Sequence, residues 1–63
     1  MSLEFEKGQK VFNSWNKKYY IVSYRDGKFY HVRDYRGDWG YFCYVDLRVA
    51  SEEEYSTSLI VEG

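Results

Sequence analysis

The sequence predicts an all-β fold, a small antiparallel sheet of about five short strands. Two observations lead to it. The stretch from Tyr19 to Val45 holds three runs rich in aromatic and β-branched residues, separated by Asp26-Gly27 and by Arg36-Gly37-Asp38, which is the pattern of a three-stranded meander. Eight tyrosines, four phenylalanines and two tryptophans share the chain with no proline, so nothing in it is barred from a sheet ladder.

Taken in order, Gly8 leads into Gln9-Lys10-Val11-Phe12, a short first strand, and Asn13-Ser14-Trp15-Asn16 supplies turn formers around an aromatic residue. The second strand runs from Lys17 to Arg25 and the third from Lys28 to Tyr35. An Asp26-Gly27 type I′ turn between them pairs Arg25 with Lys28, Tyr24 with Phe29, Val22 with His31 and Ile21 with Val32. The next strand starts near Trp39, after a two-residue loop of Arg36-Gly37 or Gly37-Asp38; a three-residue loop would invert the faces. Leu47 and Val49 alternate with polar residues as in a short closing strand. Ser51-Glu52-Glu53-Glu54 has the form of a capping box but reads first as a solvated acidic connector, with Ser58-Leu59-Ile60-Val61 as a final edge strand.

A chain of 63 residues buries only roughly 60% of the surface its unfolded form exposes, which allows one domain and one core. That domain is expected over residues 4–61, because residues 1–3 and 62–63 have the look of expression-vector flanks. One cysteine, Cys43, and one histidine, His31, provide neither a disulfide nor a zinc site within a single copy. Stability must then come from aromatic burial, about 150–250 Å² for each ring. With no signal peptide, lipidation motif or long apolar run, and a single unpaired thiol, the expected compartment is the cytoplasm.

The predicted register divides the central strands into two faces. Tyr19, Ile21, Ser23, Tyr30, Val32, Asp34, Trp39, Tyr41, Cys43 and Val45 form the expected core face. The opposite face carries Tyr20, Val22, Tyr24, Phe29, His31, Arg33, Gly40, Phe42 and Tyr44, too aromatic for an ordinary solvated surface. Three things would account for it: coverage by the chain itself, a protein partner (a homodimer being the simplest), or nucleic acid. Tyr20, Tyr24, Phe29, His31, Arg33, Phe42 and Tyr44 are the candidate partner-binding residues. In the nucleic-acid alternative the same rings stack on bases, and Lys17, Lys18, Lys28 and Arg36 meet phosphates at the rim. Net charge is −1, yet all nine cations fall between Lys7 and Arg48 among only four acids, a balance of +5, with the other acids at the two ends.

Catalytic constellations are weak. A thiol mechanism needs Cys43 and His31 within hydrogen-bond reach, and the predicted register puts them on opposite faces of adjacent strands, so Cys43 reads as a buried structural residue. Asp34 and Asp38 are expected as turn formers rather than as an acid–base pair. Gly37 and Gly40 precede no helix that would present a phosphate site. Arg36-Gly37-Asp38 matches the tripeptide of integrin ligands, but three residues match by chance and turn chemistry explains them. The expectation is a non-enzymatic interaction module without metal, cofactor or membrane partner.

Gly8-Gln9-Lys10-Val11 as an opening strand, the central hairpins, and Gly37-Asp38-Trp39-Gly40-Tyr41-Phe42 followed by Tyr44-Val45-Asp46-Leu47 resemble the SH3-like barrel group over roughly residues 7 to 50. That resemblance implies a strongly bent sheet closed into a small barrel, and it extends to small bacterial and phage proteins of unknown function. The opening Ala-Leu-Tyr-Asp-Tyr stretch of the peptide-binding SH3 domains is missing, as is their proline before the final turn. Proline-rich ligands are therefore not expected, and fold alone does not fix a function.

Overall fold

A computed structural model describes residues 5–62. Five strands, β1 (Lys10–Asn13), β2 (Lys18–Asp26), β3 (Phe29–Arg33), β4 (Trp39–Cys43) and β5 (Leu47–Val49), form one antiparallel sheet in the order β4-β3-β2-β1-β5. Among the described residues a single 3₁₀ turn, Tyr44–Asp46, joins β4 to β5, and one helix, α1 (Glu52–Glu62), follows β5. Among the described residues no helix is long and apolar enough to cross a membrane.

Each connection has a local cause. In the first turn the Asn13 side-chain oxygen accepts bonds from the amides of Trp15 (2.8 Å) and Asn16 (3.1 Å), and the Lys17 amide reaches back to the Asn13 carbonyl at 2.8 Å. Asn13 can hold this turn because it is fully buried, where its geometry is fixed by packing. The β2–β3 turn consists of Gly27 and Lys28, one residue later than expected. Asp26 pairs with Phe29, and only Gly27 has positive φ, +63°, so the type I′ requirement for positive φ at both central residues is not met. The β3–β4 loop has five residues, Asp34 to Asp38, rather than two. One carboxylate oxygen of Asp34 accepts from the amides of Arg36 (2.9 Å) and Asp38 (3.0 Å), and Gly37 supplies a φ of +89°.

Two one-residue events redistribute the faces. The one-residue displacement of the β2–β3 turn moves both strands equally and keeps parity, so Tyr24 still shares a face with an odd-numbered β3 residue, His31. A bulge between Val22 and Tyr24 then inserts an extra residue, and Val22 pairs with Val32 instead of His31. The odd-length β3–β4 loop inverts the fourth strand in turn: Arg33 pairs with Trp39, His31 with Tyr41 and Phe29 with Cys43. The core face is therefore Tyr20 and Val22 with Tyr30, Val32 and Phe42, joined by Phe5, Val11 and Leu47, with Tyr44 packed at its margin. Among residues expected in the core, Tyr30 and Val32 are buried, whereas Trp39, Tyr41 and Val45 are exposed and Cys43 is half-exposed.

Residues 58–61, expected as a strand, belong to α1. The capping box is formed in full: the Glu54 amide donates to Ser51 Oγ (3.0 Å) and the Ser51 amide donates to Glu54 Oε1 (3.3 Å). That reciprocal cap starts the helix that the acidic run alone does not announce, and Tyr55 is buried beneath it. Outward-facing residues of β1, β2 and β5 hold the helix. Lys10 pairs with Glu52 at 2.9 Å and lies over the Tyr55 ring, Arg48 pairs with Glu54 at 3.2 Å, and the Tyr19 hydroxyl donates to Glu54 at 3.3 Å.

Arg48 first, then the Ser51 amide, lowers the Glu54 pKa below the usual carboxylate value. A carboxylate held low in the folded state stabilises above its unfolded pKa, and that contribution is lost as pH falls through the folded value. The expected result is a loss of helical circular dichroism as pH falls below the usual carboxylate value, with the Glu54→Gln chain already weakened at neutral pH and flatter across that range. Identical pH profiles for the two chains would remove Glu54 as the cause.

Candidate functional site

The outer face of the sheet is divided. Helix α1 is tied to Lys10, Tyr19 and Arg48 on one half, while the half formed by β2, β3 and β4 is bare. Pairing arranges the bare half as three rows running across the strands: Asp26, Phe29 and Cys43; Tyr24, His31 and Tyr41; Ile21, Arg33 and Trp39. Trp39 is 65% exposed, Tyr24 53%, Tyr41 43% and Phe29 41%.

The rings pack on one another. Tyr24 stacks on His31 at 4.2 Å between centroids with planes 13° apart, and His31 stacks on Trp39 at 5.4 Å and 16°. Phe29 stacks on Tyr41 at 5.0 Å and 12°, while Tyr41 meets His31 edge-on at 4.6 Å. The Tyr41 hydroxyl donates to Asp26 Oδ2 at 3.0 Å, and desolvation followed by that bond raises the phenol pKa above its usual value. The result is an apolar array whose rings are already ordered, so binding against it costs little additional side-chain entropy. An open groove at the β2 bulge is lined by Lys7, Gly8 and Ser23 together with Tyr24, Arg33 and Trp39.

Of the residues predicted to bind a partner, Tyr24, Phe29, His31 and Arg33 lie on this face. Tyr20 and Phe42 do not: they face the core, where their rings meet at 5.3 Å, and Tyr44 is half-buried against the same cluster. Trp39 and Tyr41, assigned to the core by the sequence reading, complete the array instead. A single unpaired residue at the bulge and an odd loop length cause this exchange. The loop could have been read from Asp34, whose side chain is suited to hold a longer turn; the bulge has no comparable marker.

The cations predicted for a nucleic-acid rim are dispersed. Lys28 sits in the β2–β3 turn, while Lys17 lies in the β1–β2 turn, Lys18 opens β2 and Arg36 lies in the β3–β4 loop, at the other end of the hairpin. Arg36 packs on its neighbour Tyr35, and Asp34 and Asp38 share the surroundings of Lys18 and Arg36. They form no continuous basic strip.

Cys43 and His31 stand on the same face, contrary to the predicted register, because the odd loop inverts β4. They are diagonal rather than opposite, a separation of about 7–8 Å for such pairs, and the His31 ring is enclosed by Tyr24, Trp39 and Tyr41. Among the described residues no three of His, Cys, Asp and Glu come together as a metal site. No family model matches the chain, and comparison with curated proteins and with solved structures gave no match.

Proposed function

We propose that this chain is a non-enzymatic interaction module that binds protein through the array of Tyr24, Phe29, His31, Trp39 and Tyr41, in the first instance a second copy of itself. One observation carries the reading. Four large aromatic side chains are exposed together on one half of the outer face while the helix is anchored on the other half, and contiguous apolar surface rich in Tyr, Trp and Phe is what interface centres use.

Ring orientation favours protein over nucleic acid. A base needs a free ring face, and the stacking contacts take both faces of His31 and one face each of Tyr24, Trp39, Phe29 and Tyr41, while the cations that would meet phosphates are spread over both ends of the hairpin. The strand order, with β1 between β2 and β5 and a 3₁₀ turn before β5, supports placing the chain in the SH3-like barrel group, and a cytoplasmic setting accords with the free thiol of Cys43.

Light scattering from about 1 μM to about 1 mM tests the reading. The mass is expected to rise from the 7.7 kDa of one chain toward twice that value, and Trp39→Lys, which sets a charge on the array, is expected to hold it at one chain. A single-chain mass at every concentration would overturn the proposal. If that monomer instead bound a short oligonucleotide, with affinity falling as salt rises, nucleic acid would take the place of protein as the ligand.

A further inference from the structure

The geometry points to how two copies meet: we infer that β4 pairs antiparallel with β4 of a second copy, about a two-fold axis at Tyr41. This rests on the self-association proposed above and specifies its contact. Among the described residues β4 is an end strand of the sheet, with β3 as its one sheet neighbour. The hydrogen bonds flanking its ladder, Tyr44 amide to Lys28 carbonyl (2.9 Å) and Asp34 amide to Asp38 carbonyl (2.8 Å), fix which backbone groups turn inward. In an antiparallel pair these alternate, so the even-numbered residues Gly40 and Phe42 bond to β3, and the amides and carbonyls of Trp39, Tyr41 and Cys43 point away from it.

Those three residues are spaced symmetrically about Tyr41. A second β4 laid antiparallel, Tyr41 opposite Tyr41 and Trp39 opposite Cys43, lets all three exchange both of their backbone bonds, and moving the register by two residues in either direction loses one such pair. The strand has none of the usual protections of an edge. Trp39-Gly40-Tyr41-Phe42-Cys43 contains no charge and no proline, whereas natural edges are commonly guarded by lysine, proline or a short length. β5, the other end strand, is three residues long, and its Arg48 is engaged with Glu54 and the Phe12 ring. Pairing through β4 also continues the aromatic face across the axis, bringing each copy's Trp39 beside the other's Cys43 and the two Tyr41 rings together. With a net charge of −1, the copies repel each other little.

The test compares association constants. Tyr41→Pro removes an amide hydrogen that points away from β3, and is expected to weaken association at least tenfold while the monomer stays folded. Val49→Lys, on the opposite end strand of the sheet, is expected to change it less than about threefold. Should Tyr41→Pro fail to fold, thiol pairing replaces it. In a Cys43→Ser background, Tyr41→Cys is expected to give a disulfide-linked dimer on treatment with diamide, since opposed residues in such pairs lie about 5.5 Å apart between Cα atoms. Phe29→Cys and Trp15→Cys in that background are expected to remain monomeric. Association abolished by Val49→Lys, or cross-linking through Phe29→Cys at least as fast as through Tyr41→Cys, would overturn pairing through β4 while leaving self-association itself intact. A wild-type chain that never exceeds one-chain mass would overturn both.

Discussion

Tyr30→Ala is expected to leave the chain unfolded at room temperature. Tyr30 is 1% exposed and central to the core, its ring meets Phe5 edge-on at 5.2 Å, and its hydroxyl accepts the Phe5 amide at 3.1 Å. Truncating a buried aromatic costs about 3–5 kcal/mol through lost transfer energy and the cavity left behind. A core of this size rarely supplies more than about 3–5 kcal/mol in total, so the loss matches the whole stability. Tyr30→Phe keeps the ring and removes only the acceptor for the Phe5 amide, for an expected cost of about 1 kcal/mol. Urea unfolding followed by tryptophan fluorescence separates the two: a displaced midpoint for Tyr30→Phe and no cooperative transition for Tyr30→Ala. A cooperative transition in Tyr30→Ala with a midpoint near that of the parent chain would mean that Tyr30 does not hold the core.

Gly40→Ala is expected to be the second most damaging of these changes, although it adds one methyl group on a strand. Gly40 lies on the core face opposite Val32, and the Phe42 ring folds back over it. A Cβ at this position would sit 2.5 Å from Phe42 Cε2 and 2.8 Å from Cζ, so the ring must move, and it moves against Tyr20. Overpacking of this kind costs about 1–3 kcal/mol. The cost is expected to fall by more than half in a Phe42→Leu background, where the clashing ring carbons are gone, as a double-mutant cycle of chemical denaturation would show. Equal costs in both backgrounds would place the effect elsewhere than at the ring.

Much of the fold was legible because periodicity and turn residues act locally. All five strands lie where alternation and aromatic enrichment put them, whereas Ser51 with Glu54, read first as part of a solvated acidic connector, starts a helix that contacts from Lys10, Arg48 and Tyr19 hold. An exposed aromatic sheet face was legible in kind and only partly in membership. Face assignment is a cumulative count along the chain, so one unannounced residue reverses everything beyond it. The bulge beside Ser23 put Tyr20 inside, and the five-residue loop put Trp39 and Tyr41 outside. Neither event changes strand propensity, and only Asp34, with the reach to bind two amides of its own loop, bears a local trace of one of them.

The bulge in β2 also determines what one strand can encode. A regular strand has a single phase, so its even residues all serve one side of the sheet. β2 has two phases: Tyr20 and Val22 are written for the interior, while Tyr24, of the same parity, is written for the exterior. A single strand thereby contributes aromatic residues both to the core and to the stacked array. In a chain of this length, with every strand needed for the sheet, that change of phase lets one strand serve the core and the exposed aromatic array without a separate segment for the latter.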